Sequence, residues 1–278
     1  MLTEQVMTQN LKKLGICEGN SVIVHSSFKS LGEIKGGAQT VVNSFMNAVG
    51  KDGTVIFPTL CIEDWLNVYK NWHLDAPSDV GYLTNFFRKL PGAIRSNQAT
   101  HSVAAMGKDA EYFTKTHGES GLRYGIFGDT PFAADSPWQK MYEKDTKLIF
   151  VGAPIIKCTM RHLVEYIFVE ECLNFMNGRP DFDEMKEQVR AYHKWEQPGV
   201  WPGIDSEYIE AILQKKNRVR TITCGNAEVK MLSTKDFVDT GLELLKNRVI
   251  DSLLLQRWHP DKAGPLINWL DKTGIYDK

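Results

Sequence analysis

The sequence predicts an α/β fold: a single large domain with a mixed, largely buried central sheet flanked by helices. Three observations predict it. Short β-branched or apolar runs at 21–27 (SVIVHSS), 53–60 (GTVIFPTL) and 146–154 (TKLIFVGAP) read as buried strands. The first two bracket a segment of helical period at 36–50, and strand–helix–strand order favours parallel pairing. Farther along, 219–225 and 227–233 flank Gly225-Asn226 and read as a hairpin, which adds antiparallel pairs.

The remaining elements follow in order. Residues 3–14 place Val6, Leu11 and Leu14 on one stripe behind a Thr3 cap, an amphipathic helix. The strand at 21–27 ends in polar residues and feeds a loop; the helix at 36–50 stops on Gly50, and Pro58 interrupts the strand at 53–60. Residues 61–82 set Trp65, Tyr69 and Trp72 among polar residues, as expected of a helix or lid over a cleft. Helices are expected at 82–92, stopped by Pro91-Gly92, and at 109–118, with a compact strand at 102–107 between them. Residues 125–142 read as loop and then helix, starting at Ser136-Pro137, and 159–173 as a helix with Thr159 near its cap. Residues 177–203 read as turns and an extended excursion, 234–247 as a capped amphipathic helix, and 248–278 carries no clear pattern. With no repeat, low-complexity tract or linker, the reading is one domain over 1–278.

Composition narrows the function classes. Of 278 residues, 42% are hydrophobic and 24% charged, the balance of an ordinary globular chain. A net charge of −1 argues against a general nucleic-acid binder, while leaving room for a local basic patch that grips a phosphorylated cofactor. The five cysteines are scattered without CxxC spacing, so a zinc ribbon or disulfide framework is not expected, and a reducing cytoplasm is the simplest compartment. No signal peptide and no run of about 20 apolar residues is seen. A homo-oligomer is compatible with the sequence.

His162 and Glu165 stand three apart on a predicted helix and share a face, with Thr159 extending the row. A carboxylate beside an imidazole orients the ring, which can then take a proton from a nucleophile. On spacing alone, an ordinary helix surface with a His and an ion-pairing Glu is the favoured reading, because such pairs are common. No third or fourth ligand at characteristic spacing suggests a metal. His25, Ser26 and Ser27 end a buried strand, where α/β folds commonly hold ligands, although the run is neither GxGxxG nor a P-loop. Residues 96–107 gather Ser96, Gln98, Thr100, His101 and Ser102 before a strand; a serine hydrolase using Ser102 or Ser27 would be expected to carry a GxSxG elbow, and none is present. Cys61 and Cys158, at strand ends, read as nucleophiles or, more simply, as small semi-buried apolar residues.

Taken in order, VHSSFKSLG (24–32), GGAQTVVNSFMNAVGKDGTVIFPT (36–59), RSNQATHSVAAMG (95–107), FGDTPFAADSPWQKMY (127–142), LIFVGAP (148–154), TMRHLVEY (159–166) and CGNAEVKMLSTKDF (224–237) resemble the aminoglycoside 3-N-acetyltransferase family, the antibiotic N-acetyltransferases distinct from the GNAT fold. The likeness covers about 10–245, leaving 246–278 as a C-terminal extension. It implies that family's α/β fold, acetyl-CoA as co-substrate without a metal, and direct transfer to the amine of an aminoglycoside or related amino sugar, the chemistry of antibiotic resistance. The family's Thr-x-x-His-x-x-Glu pattern falls on Thr159, His162 and Glu165, implying a catalytic role. Its HSS loop falls on His25, Ser26 and Ser27, which would line the donor's pantetheine and pyrophosphate, and its Ser-Val on Ser102 and Val103, which would face the thioester arm. Glu63, Asp64, Trp65 and His101 are the expected substrate contacts. Where the family pattern has His-Pro this chain has Gln98-Ala99, a departure that bears on the acceptor more than on the transfer; the prominent aromatics of 61–82 also suit a nucleotide-linked amino sugar.

Overall fold

The computed structural model describes residues 1–64, 67–192 and 199–277. In chain order the elements are α1 (Glu4–Leu14), β1 (Ser21–Ser26), α2 (Gly37–Val49), β2 (Thr54–Pro58), α3 (Val68–Asn71), α4 (Tyr82–Phe87), β3 (Ile94–Arg95), β4 (Val103–Gly107), α5 (Ala110–Thr114), α6 (Pro137–Glu143), β5 (Lys147–Val151), α7 (Met160–Met176), α8 (Phe182–Ala191), α9 (Ser206–Lys215), β6 (Arg220–Cys224), β7 (Ala227–Ser233), α10 (Thr234–Lys246), α11 (Leu254–Trp258) and α12 (Pro260–Thr273). The strands form one sheet in the order β3-β4-β2-β1-β5-β7-β6. Its centre is parallel, β1 lying between β2 and β5. Antiparallel pairs flank it on both sides, β4 on β2 and β7 on β5, with β3 and β6 at the edges. The sheet is therefore mixed, and the hairpin β6–β7 turns on Gly225, whose φ of +59° suits a residue without Cβ.

Alternation along the strands sorts their side chains between two cores. Val22, Val24, Val55, Phe57, Ile149 and Val151 pack with Met7, Leu11, Val41, Phe45 and Phe87 from α1, α2 and α4. Ile23, Ile56, Leu148 and Phe150 pack on the other face with residues of α5–α7 and α10, including Phe113, Met141, Leu163 and Phe237. Each such fully buried side chain stabilises the fold by about 1.5–3 kcal/mol relative to exposure.

Several elements differ from expectation. The buried stripe of α1 is Met7, Leu11 and Leu14, while Val6 stays 46% exposed. Steps of four and three residues keep one helical face; the five-residue step from Val6 to Leu11 leaves it. Helices α4 and α5 are shorter than 82–92 and 109–118. The segment 177–203 contains a helix, α8, because Met185 and Val189 sit one turn apart and both bury, with Asp183 and Glu184 at its positive end. The tail 246–278 is more than an appendage. Leu255, Leu266, Trp269 and Leu270 enter the same core as α7, and Trp269 Nε1 donates to the Met185 carbonyl at 2.9 Å. Among the described residues, no helix is long and apolar enough to cross a membrane.

Candidate active site

Parallel strands carry their C-terminal ends to the same edge of a sheet, and ligands in such folds sit outside that edge. Here a cleft of about 1020 Å³ opens there. His25, Ser26 and Ser27 come from the end of β1, His101 from the loop before β4, and Thr159 and His162 from the start of α7. Residues more than a hundred positions apart are thus brought together by strand order, and Glu63 lies on the same wall system.

The centre of the arrangement is His162. Its Nδ1 lies 2.6 Å from Glu165 Oε2. The carboxylate is 1% exposed, and it also accepts from Trp201 Nε1 at 2.7 Å and from the Ile204 amide at 3.1 Å. Burial by itself would raise the Glu165 pKa. His162 beside it, with Arg161 and the Trp201 bond, outweighs burial and holds the carboxyl below its usual range. An ionised carboxylate can only accept, so Nδ1 carries the ring proton and Nε2 is the nitrogen left to take another. Burial lowers the His162 pKa against the opposing pull of Glu165, so the ring is neutral, and competent as a base, at pH 7.

Aromatic rings fix the imidazole laterally. Phe127 meets it edge-on with centroids 5.0 Å apart, and His101 likewise at 5.8 Å. The loop carrying Phe127 is pinned by Tyr166, whose hydroxyl accepts from the Phe127 amide at 2.8 Å and donates to the Gly128 carbonyl at 3.0 Å. Gly125 is required for this approach: a Cβ there would stand 2.3 Å from the Tyr166 ring. His101 is buried, its Nδ1 2.8 Å from Thr100 Oγ1, and burial, with smaller contributions from His162 and His117, lowers its pKa well below the ordinary value. The departure at Gln98 has a structural use. Its amide nitrogen donates to Tyr69 Oη at 3.0 Å and its oxygen accepts from Thr100 Oγ1 at 3.3 Å, closing the loop that presents His101.

The other sequence candidates divide. His25 stacks on Phe150 with centroids 5.0 Å apart, and burial brings its pKa down to about 4. Thr159 occupies the N-cap position of α7, yet its side chain makes no capping bond; it is 7% exposed against the cleft. Ser102 lies outside the cleft lining, with Oγ donating to the Thr59 carbonyl at 2.9 Å and accepting from Arg95 Nε at 3.1 Å, and Val103 is fully buried in the core. Asp64 is exposed beside Asn67, away from the lining, and Trp65 is outside the described residues. The Cys158 thiol is buried, which pushes its pKa up to about 12, and Cys61 is buried beside Arg95, so both fit the apolar reading better than a nucleophile.

Sequence reasoning missed Trp201 and Ile204, which hold Glu165, and the charges of the cleft: Lys29, Lys157 and Arg161, with Asp79 joining Glu63. Trp258 of α11 completes the lining from the tail. Nothing in one sequence pairs Trp201 with a carboxylate read 36 positions earlier. Among the described residues, no group of three or more His, Cys, Asp or Glu is placed to hold a metal ion.

Residues 23–246 match the family model for aminoglycoside 3-N-acetyltransferase. The SPbeta prophage-derived aminoglycoside N(3')-acetyltransferase-like protein YokD of Bacillus subtilis is 27% identical over 216 residues, covering 70% of this chain and 75% of that one. Aminoglycoside N(3)-acetyltransferase III of a Salmonella species is 32% identical over 184 residues, 60% of this chain; the match spans 61% of that enzyme, under two thirds of its length. Among solved structures, the aminoglycoside acetyltransferase AAC(3)-IVa apoenzyme superposes with a TM-score of 0.68 at 19% identity, over 96% of this chain and 98% of that one. AAC-IIIb in its binary complex with CoASH gives 0.66 at 20%, over 88% and 97%. At these identities the structural likeness concerns the fold.

Proposed function

This chain belongs to the aminoglycoside 3-N-acetyltransferase family and is an acyltransferase, and from that premise we propose that it transfers acetyl directly from acetyl-CoA to an amino group of an aminoglycoside or related amino sugar, with His162 as general base. The observation that carries this reading is the buried Glu165–His162 pair on the wall of a cleft that also carries both signs of charge. A relative's solved complex with CoASH supports the donor. The exposed lysines Lys29 and Lys157, near the Ser26-Ser27 turn and the start of α7, suit the donor's phosphates; Glu63 and Asp79 suit an ammonium.

In this mechanism the acceptor ammonium first gives one proton to solvent, and the lone pair so freed forms the N–C bond at the acetyl carbonyl. His162 Nε2 takes a second proton from that nitrogen as the bond forms, the C–S bond breaks, and the departing sulfur recovers this proton from the imidazolium, so that the products are the amide, the CoA thiol and one proton released to solvent. Glu165 holds the ring in the required tautomer and balances the charge that develops on it. Holding two substrates in one cleft supplies further acceleration. No acyl-serine is needed, and Ser102 is bonded to Thr59 and Arg95 rather than to an imidazole. The test is His162→Ala under single-turnover conditions: transfer falls by about two to four orders of magnitude while CoA still binds. Transfer near the wild-type rate would refute the role of His162.

A further inference from the structure

Arg161 precedes His162 in the first turn of α7 and lines the same cleft. Its Nη1 is buried and has no hydrogen-bond partner among the described residues, and Arg161 joins none of the ion pairs there. The carboxylate near enough to feel it, Glu165, is already taken by His162, Trp201 and Ile204. The placement is unfavourable three times over. The guanidinium is partly desolvated, it is unpaired, and it stands at the positive end of a 17-residue helix with no acidic residue in its first turn. An anion arriving at that point relieves all three; a ligand bearing only positive charge relieves none. Two further polar atoms on the cleft lining are buried without a partner among the described residues, His25 Nε2 and Asp79 Oδ1. His25 is 5% exposed. Besides its exposed charges, the cleft thus holds a buried unpartnered guanidinium nitrogen, a buried unpartnered carboxylate oxygen and a buried unpartnered imidazole nitrogen among the described residues, a set that matches a ligand carrying both an anion and N–H or O–H donors.

Resting on the acyl-transfer reading above, we propose that Arg161 is a specificity-determining residue that selects an acceptor bearing an anionic group, carboxylate or phosphate, close to its reacting amine. The amine meets His162, the anion meets Arg161 and the start of α7, and a donor of the same molecule meets Asp79 Oδ1. The same anion chemistry is present in the phosphates of CoA, so the experiment separates the two sources.

Wild-type, Arg161→Gln and Arg161→Lys proteins, each saturated with CoA, are titrated calorimetrically with glucosamine, glucosamine 6-phosphate and muramic acid, and CoA affinity is measured for each. Arg161→Gln removes an unpaired cation and leaves the His162–Glu165 bond in place, so the variant is expected to fold. The expected result is that at least one anionic amino sugar binds wild type roughly 10- to 100-fold tighter than glucosamine, the range for a charge-assisted contact in a desolvated site. Arg161→Gln lowers that preference to about threefold or less, and Arg161→Lys restores part of it. The proposal is overturned if wild type binds neither anionic sugar better than glucosamine, if Arg161→Gln keeps the preference, or if Arg161→Gln weakens CoA roughly tenfold while discrimination is unchanged. If the preference and its loss are seen but no acetyl group reaches any amine, the transfer reading fails and the role of Arg161 stands.

Discussion

Replacing Glu165 by Gln keeps the side-chain volume and removes one charge. Two donors reach Oε2, His162 Nδ1 at 2.6 Å and Trp201 Nε1 at 2.7 Å, and one reaches Oε1, the Ile204 amide at 3.1 Å. A carboxamide has a single oxygen, so one side must present N–H groups to a donor. Turning the amide nitrogen toward Ile204 loses one bond. Turning it the other way loses Trp201 and drives His162 into the tautomer whose Nε2 already carries a proton. The first arrangement is the cheaper, and a lost charge-assisted bond costs about 1.5–3 kcal/mol, partly offset by the easier burial of a neutral group. A stability loss of about 1–3 kcal/mol follows, at roughly 2–4 °C of Tm per kcal/mol for a chain of this order of size. The kinetic effect is larger, because the imidazolium formed during transfer loses its counter-charge: about two to four orders of magnitude in the transfer rate. The pH profile adds a sign. Rate rises as pH climbs through the pKa of His162, which burial lowers and Glu165 raises, so removing Glu165 shifts that limb to lower pH. Spectrophotometric release of the CoA thiol across pH, beside thermal unfolding, reads all three effects. Transfer within about threefold of wild type, or a limb that moves upward, would refute the assignment of Glu165.

Trp201→Phe removes one of the two donors on Glu165 Oε2, and transfer is expected to fall by about tenfold with a parallel loss of stability; an unchanged rate would mean that bond does not position the pair. His117 is buried between Ser96 and Pro131, and burial brings its pKa down to about 4, as for His25. The folded state therefore refuses protons that the unfolded chain accepts below about pH 6.5. Stability is lost as pH falls from there toward 4, at about 1.4 kcal/mol per pH unit per histidine; urea unfolding of His117→Gln should show a slope shallower by one proton, and an equal slope would exclude His117 from the effect. A chain ended after Lys246 loses buried Leu254, Leu255, Leu266, Trp269 and Leu270, together worth about as much as the whole stability of a typical domain. It should fail to accumulate as soluble protein, and cooperative unfolding of that fragment would show the tail to be dispensable.

The sheet was legible because its central strands are buried on both faces, and runs such as SVIVHSS and TKLIFVGAP carry that burial in composition alone. The hairpin was legible from Gly225-Asn226. Helix α8 was not, because Met185 and Val189 are two apolar residues in a polar stretch, and only the core they meet makes them a face. The same limit governs the site. Thr159, His162 and Glu165 stand together at the start of one helix and could be read together, whereas Trp201 reaches Glu165, and Asp79 and Trp258 reach the cleft, through tertiary packing. Ser102 shows the converse: it follows His101 directly out of the turn at 99–101, and where His101 reaches the cleft, Ser102 turns toward Thr59 and Arg95.

The parallel centre of the sheet also sets an order of events. Residue 22 is bracketed by residue 55 on one side and residue 147 on the other, and His25 is in register with Phe150, the ring on which it rests. A chain emerging from the ribosome N-terminus first cannot seat His25 until β5 has been made, cannot restrain Glu165 until Trp201 arrives, and cannot close the lining until Trp258 does. Contacts of such sequence separation form late, after the long loops between them have closed. The lining is therefore whole only once these distant segments have met. At a hundredfold excess over Kd, a ligand that binds only the assembled cleft adds about 2.7 kcal/mol to that state, so occupancy holds β1, β5, Trp201 and Trp258 in their places together.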